Sequence, residues 1–209
     1  MEICEIKKEK KHLCRLVFSD GREQLIDIDV CGNYCLKKGR NITDDELTEI
    51  IETSDYERAK SRAIWYLDRQ SHTEKGLYDK LIKAGFGKKA SARVIARFSE
   101  LGLIDDRKYA EYYAEKCLDN NISKRETYQK LLLRGVPKDL AKEILSENET
   151  DENEQIAELL NKKYRTKLEN PENVKKVYAA LIRKGFSFSA VKDALKKYSE
   201  ELEYQSEEF

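Results

Sequence analysis

Apolar and polar positions along the chain fall into three copies of one pattern, spaced fifty residues apart. Tyr78, Tyr128 and Tyr178 each lead an apolar pair, Leu81-Ile82, Leu131-Leu132 and Leu181-Ile182. Each pair is followed by a glycine (Gly85, Gly135, Gly185) and then by Phe86, Val136 or Phe186. The same phase carries back to Thr73, Ser123 and Asn173 and forward to Ile95, Leu145 and Leu195. A period of this size marks a repeat architecture, which presents extended binding surfaces rather than enclosed catalytic pockets.

Each copy is expected to be three helices. The first helices hold Ala63 to Leu67, Tyr109 to Leu118 and Ile156 to Leu160. The second helices start near Thr73, Ser123 and Asn173, side chains whose oxygens accept an unpaired backbone amide at a helix start. They stop at the three glycines, which suit the left-handed conformation of a helix C-cap. The third helices carry Val94-Ile95-Phe98, Leu140-Ile144-Leu145 and Val191-Leu195-Tyr198, at three- and four-residue steps. Gly76 stands where Glu126 completes a capping box in the middle copy, and Asn170-Pro171 favours an earlier start in the third. The acidic stretch from Ser146 to Glu154 reads as a linker.

The first forty residues differ. From His12 to Phe18 apolar and polar residues alternate, Ser19-Asp20-Gly21 suits a tight turn, and Ile26, Ile28 and Val30 alternate with Asp27 and Asp29. With Ile3 to Ile6 as a third strand, this predicts a small antiparallel sheet packed on a helix. Thr43-Asp44-Asp45-Glu46 fits a capping box, and Leu47, Ile50 and Ile51 give the next helix its apolar stripe. A break is expected at Ser54-Asp55. The fold class is therefore mainly α, tandem three-helix repeats of helix-turn-helix type after a small N-terminal antiparallel β domain. The expected boundaries are 1–42 for the sheet, 43–57 for a connecting helix, 58–104, 105–150 and 151–203 for the repeats, and 204–209 for a flexible tail.

Composition narrows the chemistry. Forty basic and forty acidic residues cancel, so no global field draws the chain onto nucleic acid. Residues 55–104 nevertheless hold eleven Lys or Arg against six Asp or Glu. No segment has the roughly 18 apolar residues that argue for a membrane span, and the N-terminus lacks signal-peptide character. Five scattered cysteines do not suggest a disulfide framework. The expectation is a cytoplasmic protein. His12 and His72 lack a paired nucleophile, and Cys31 to Cys35 lacks the second pair a zinc site needs. No Walker loop or dinucleotide fingerprint is present, so neither enzyme activity nor a cofactor or metal is expected. The repeated tyrosines and Trp65 are read as packing residues.

Specific resemblance lies in Leu101-Gly102-Leu103-Ile104-Asp105-Asp106-Arg107-Lys108-Tyr109-Ala110, followed by Tyr112-Tyr113. Tyr66-Leu67-Asp68-Arg69 with Thr73-Glu74 and Leu81, and Arg183-Lys184-Gly185-Phe186-Ser187, extend it. Over residues 58–199 the chain resembles the RecX family of bacterial recombinase regulators, with the sheet outside the shared pattern. Gly76 departs from that family's usual acidic residue. The resemblance implies a curved series of three-helix repeats that binds the RecA recombinase filament on single-stranded DNA. It implies modulation, most often inhibition, of ATP hydrolysis, strand exchange and co-protease activity, hence a place in DNA repair, homologous recombination and the SOS response.

The expected partners are the recombinase filament and the single-stranded DNA within it, with weak direct DNA binding, no membrane and a monomeric state. Candidate contacts are Arg69, Lys80, Lys83, Lys88, Lys89, Arg93 and Arg97 in the first repeat, with Lys80 and Lys83 sharing a helix face. Lys124, Arg125, Lys130 and Arg134 are their counterparts in the second repeat, and Arg183 and Lys184 in the third. The alternative is a direct DNA binder using tandem helix-turn-helix units, whose affinity would collapse with salt in the absence of any partner.

Overall fold

A computed structural model describes residues 1–10 and 12–207, with side chains described as far as Glu200. The chain divides into two units, Met1–Asp105 and Asp106–Phe209.

The first unit opens with strands β1 (Ile3–Glu9), β2 (Leu13–Phe18) and β3 (Glu23–Asp27) in an antiparallel sheet of order β1-β2-β3. Register pairs Ile6 with Leu16 and Cys14 with Ile26. Alternation puts Cys14, Leu16, Phe18 and Ile26 into a core with Ile3, Val30, Cys31, Ile42, Leu47 and Ile50. On the other face Arg15 joins Glu9 and Glu23 across the strands. Cys14 and Cys31 are bonded through sulfur. The cysteine count did not suggest this bond; apolar burial brings the two residues together from β2 and the helix after β3.

Two expectations are corrected here. The alternation of Ile26, Ile28 and Val30 predicted a strand, but the chain turns into helix α1 (Ile28–Asn33) after Asp27. Asp27 is extended, its carboxylate accepts from the Asp29 amide, and its own amide donates to Ser54 Oγ. Nor is there a break at Ser54-Asp55. Helix α2 runs without interruption from Asp44 to Leu67, capped by Thr43 on the Glu46 amide. The Ser54 hydroxyl is buried and engaged with the end of β3, so it does not compete for its own helix backbone.

Helices α3 (Glu74–Lys83) and α4 (Lys88–Glu100) complete the first three-helix bundle on the C-terminal half of α2. Its core is Ala59, Ala63, Leu77, Leu81, Val94, Ile95, Phe98 and Ile104.

In the second unit, α5 (Asp106–Asp119), α6 (Lys124–Leu133) and α7 (Lys138–Glu147) form the next bundle, around Ala110, Ala114, Leu131, Val136 and Ile144. Helix α8 (Glu152–Leu159) passes through a π turn at Leu160–Tyr164 into α9 (Arg165–Leu168). Helices α10 (Val174–Arg183) and α11 (Phe188–Glu207) then close the third. Residues 204–207 of the expected tail thus continue α11, and Glu208 and Phe209 lie outside the described residues.

The caps explain the period. Gly85, Gly135 and Gly185 have φ of 92°, 92° and 91°. In each copy the glycine amide donates to the second residue of the apolar pair and the next amide to the first: Phe86 to Leu81, Val136 to Leu131, Phe186 to Leu181. This is the Schellman arrangement, and it requires the apolar pair and glycine to keep their spacing. Thr73 and Ser123 cap α3 and α6 as expected. Asn173 does not cap. Its place is taken by Asn170, which caps the 3-10 turn Pro171–Asn173, so the third copy starts early.

Candidate functional site

Two of the expected cations on α4 face α2. Lys89 pairs with Glu52, and the Arg93 guanidinium lies 4.9 Å from the Tyr56 ring centre. Arg97 pairs with Glu100 at 3.0 Å on its own helix. Lys83 and Lys88, at the end of α3 and the start of α4, are exposed. Among the described residues, neither has a carboxylate within ion-pair distance. Lys80 and Lys83 therefore part company: Lys80 is half-buried with its ammonium 5.0 Å from the Tyr66 ring centre.

Arg69 and Lys80 belong to a different cluster, where α2 ends beside α3. Trp65 is 43% exposed, not the buried anchor its residue type suggested. The Arg69 guanidinium lies 3.5 Å above the indole centre and Arg62 lies 5.3 Å from it. Arg69 also donates to the Trp65 carbonyl at 2.9 Å. Tyr66 meets Trp65 edge-on at 5.2 Å and His72 edge-on at 6.2 Å. Burial, assisted by Lys80, lowers the His72 pKa below its usual 6.5, so the imidazole is neutral at physiological pH. Arg62 was not among the expected contacts. Its signal was the spacing Arg62, Trp65, Arg69, which puts two guanidinia on the helix face of the indole. A groove of about 400 Å³ flanks Trp65, lined in part by Arg58, Ser61, Arg62, Phe86 and His12.

In the second unit Lys124 donates to the Asn148 carbonyl, Lys130 pairs with Glu126 at 3.2 Å, and Arg134 lies 4.1 Å from the Tyr113 ring centre. Arg125 lies against Gly185, whose neighbour Lys184 accepts at its carbonyl from Ser123 Oγ. Arg183 Nε donates to the Ala179 carbonyl at 3.3 Å. The thirteen cations are thus distributed over both units, and the one dense association of cation and exposed aromatic ring among the described residues is at Trp65. The repeated tyrosines pack against their bundles, as read from the sequence.

Metal-ligating geometry is sparse. Among the described residues, His12, Asp27 and Asp29 form the one such group, with ligand atoms within 4.8 Å of one another. Asp27 caps α1 and Asp29 lies 3.2 Å from His12, so the group already satisfies itself by pairing. Cys35 is exposed while Cys31 is bonded to Cys14, so the two do not form a ligand pair. No described helix is long and apolar enough to cross a membrane.

The sequence and fold can be set beside known proteins. The family model for the first three-helix domain of RecX matches residues 59–98, and that for the third matches residues 149–195. A regulatory protein RecX of Streptococcus gordonii is 30% identical, over 100% of this chain and 81% of its own. One from Clostridium tetani is 29% identical over 92% of this chain and 91% of its own. Among solved structures, a regulatory protein RecX superposes with a TM-score of 0.66 at 22% identity, covering 92% of this chain and 98% of that one. RecX from Lactobacillus salivarius gives 0.61 at 23% identity, covering 69% and 97%. At those identities the structures speak for the fold alone.

Proposed function

Because the chain belongs to the RecX family of regulatory proteins, we propose that it binds RecA recombinase filaments on single-stranded DNA and inhibits them. ATP hydrolysis, strand exchange and co-protease activity are the processes it restrains. The observation that carries this reading is the in-phase set of three helical units, each closed by the same glycine cap. A filament offers the same surface again at each protomer, and linked modules turn several weak contacts into avidity. The protein needs no nucleotide site of its own, since the nucleotide belongs to the partner.

Lys83 and Lys88 are the best contact candidates in the first unit, because they are exposed and their charges are not neutralised by a neighbouring carboxylate among the described residues. Recombinase ATP hydrolysis on single-stranded DNA, measured as this protein is added, tests the reading. Inhibition below one protein per recombinase is expected. The double variant K83E/K88E should require several-fold more protein for the same inhibition while keeping its helical circular dichroism. An unchanged hydrolysis rate with the wild-type protein would sink the proposal. Full inhibition by a folded K83E/K88E would remove these two lysines from it.

A further inference from the structure

The exposed indole at the end of α2 asks for a ligand. Trp65 is the sole tryptophan of the chain, and a residue of this size and apolarity normally contributes to a core or an interface. Here 43% of it faces solvent, with the Arg69 guanidinium stacked at 3.5 Å and Arg62 at 5.3 Å. Lys80 adds a third positive charge over the adjoining Tyr66. Among the described residues none of Arg62, Arg69 and Lys80 has a carboxylate within ion-pair distance, whereas Arg58, one turn earlier, is paired with Asp55.

We propose that Trp65, with Arg62, Arg69 and Lys80, forms a stacking site for an unpaired base of single-stranded nucleic acid. The argument is one of matching chemistry. A single strand alternates a flat, apolar base with a phosphate at every step, and such strands bind to aromatic faces set in a cationic groove. Here the Arg69 guanidinium lies over one face of the indole at 3.5 Å, so the flat surface offered to a base is the stacked guanidinium–indole pair, with Arg62 and Lys80 as further cations. A duplex keeps its bases paired and stacked inside, so it can offer the cations its phosphates but cannot use the indole. An acidic peptide would satisfy the cations and likewise leave the ring without a flat partner. Asp27 and His12 also line the groove beside Trp65, and Asp29 lies beside His12. The site does not depend on the recombinase reading, because each of its residues belongs to this chain.

The only tryptophan being at the site makes its fluorescence a direct probe. Oligothymidylate titrated into the full-length protein, with no recombinase present, should quench the emission at low salt. Affinity should fall with added salt, and its log-log slope should flatten by about 0.7 for each phosphate-binding cation removed. Labelled oligothymidylate followed by anisotropy then reads the variants. Trp65→Leu and the double variant R62Q/R69Q should each weaken binding on the order of tenfold, and Trp65→Phe should restore part of it. Circular dichroism confirms that each variant is folded. Binding without quenching, or equal binding by Trp65→Leu, overturns the proposal. So does equal competition by duplex DNA or polyglutamate, which reassigns the patch to charge alone, or by thymidine monophosphate, which makes it a mononucleotide site. The recombinase assay on the same preparations is read separately, so failure of either proposal is distinguishable from failure of the other.

Discussion

Gly85 and Gly185 occupy the same repeat position with nearly the same φ, yet their surroundings differ. A Cβ on Gly85 would meet nothing within 4 Å. One on Gly185 would lie 2.8 Å from Ser123 Oγ and 3.1 Å from Arg125 Cβ. Ser123 is not free to withdraw, since its hydroxyl accepts from the Glu126 amide and donates to the Lys184 carbonyl. Gly85→Ala is therefore expected to cost the left-handed penalty alone, roughly 1–2 kcal/mol. Gly185→Ala should cost about 1–2 kcal/mol more, as the cap and its second bond give way. Urea denaturation of the two variants checks the order, and equal losses would contradict it. The sequence showed that both positions want glycine. It did not show that one of them also wants the space.

At the scale of elements, α2 is the junction of the first unit. Its N-terminal half buries Leu47 and Ile50 against the sheet, and its C-terminal half buries Ala59 and Ala63 in the first bundle. Two apolar stripes of different direction on one rod read in the sequence as two helices with a break between. Ser54 was the residue that suggested the break, because serine competes with helix backbone when its hydroxyl has no other partner. In the fold that hydroxyl accepts from the Asp27 amide at 2.8 Å, where β3 ends and α1 begins. Ser54→Ala should leave this buried amide unpaired and cost about 1–3 kcal/mol, seen as a lowered melting temperature of the intact chain. No change in melting would mean that the amide finds another acceptor. The change from strand to α1 has the same origin: alternation was present through Val30, but a capping carboxylate at Asp27 and a partner on α2 end the strand earlier.

Across the whole molecule, the division at Asp105 places the sheet and the first bundle in one unit. The two share α2, and each contributes its own buried cluster. A fragment of about 100 residues with its own cores has the size of an independent domain. Residues 1–105 expressed alone should unfold cooperatively on heating, with a helical and strand dichroism spectrum. A gradual, featureless loss of signal would show that the unit borrows stability from the rest of the chain.

The helical repeat, its period, the glycine caps and the antiparallel sheet were all legible in the chain alone, since they rest on local backbone preferences and on which face of each element is apolar. The candidate cations were legible only as charges. Packing settled which of them are spent on Glu52, Glu100 or Tyr56 and which stay open, such as Lys83 and Lys88. It also exposed Trp65, because α2 turns its two Ala residues to the bundle and leaves the indole, with Arg62 and Arg69, on the outside. Residue type alone argues for burial. The facing of a helix is settled by what packs on its other side, and that is a property of the assembled fold.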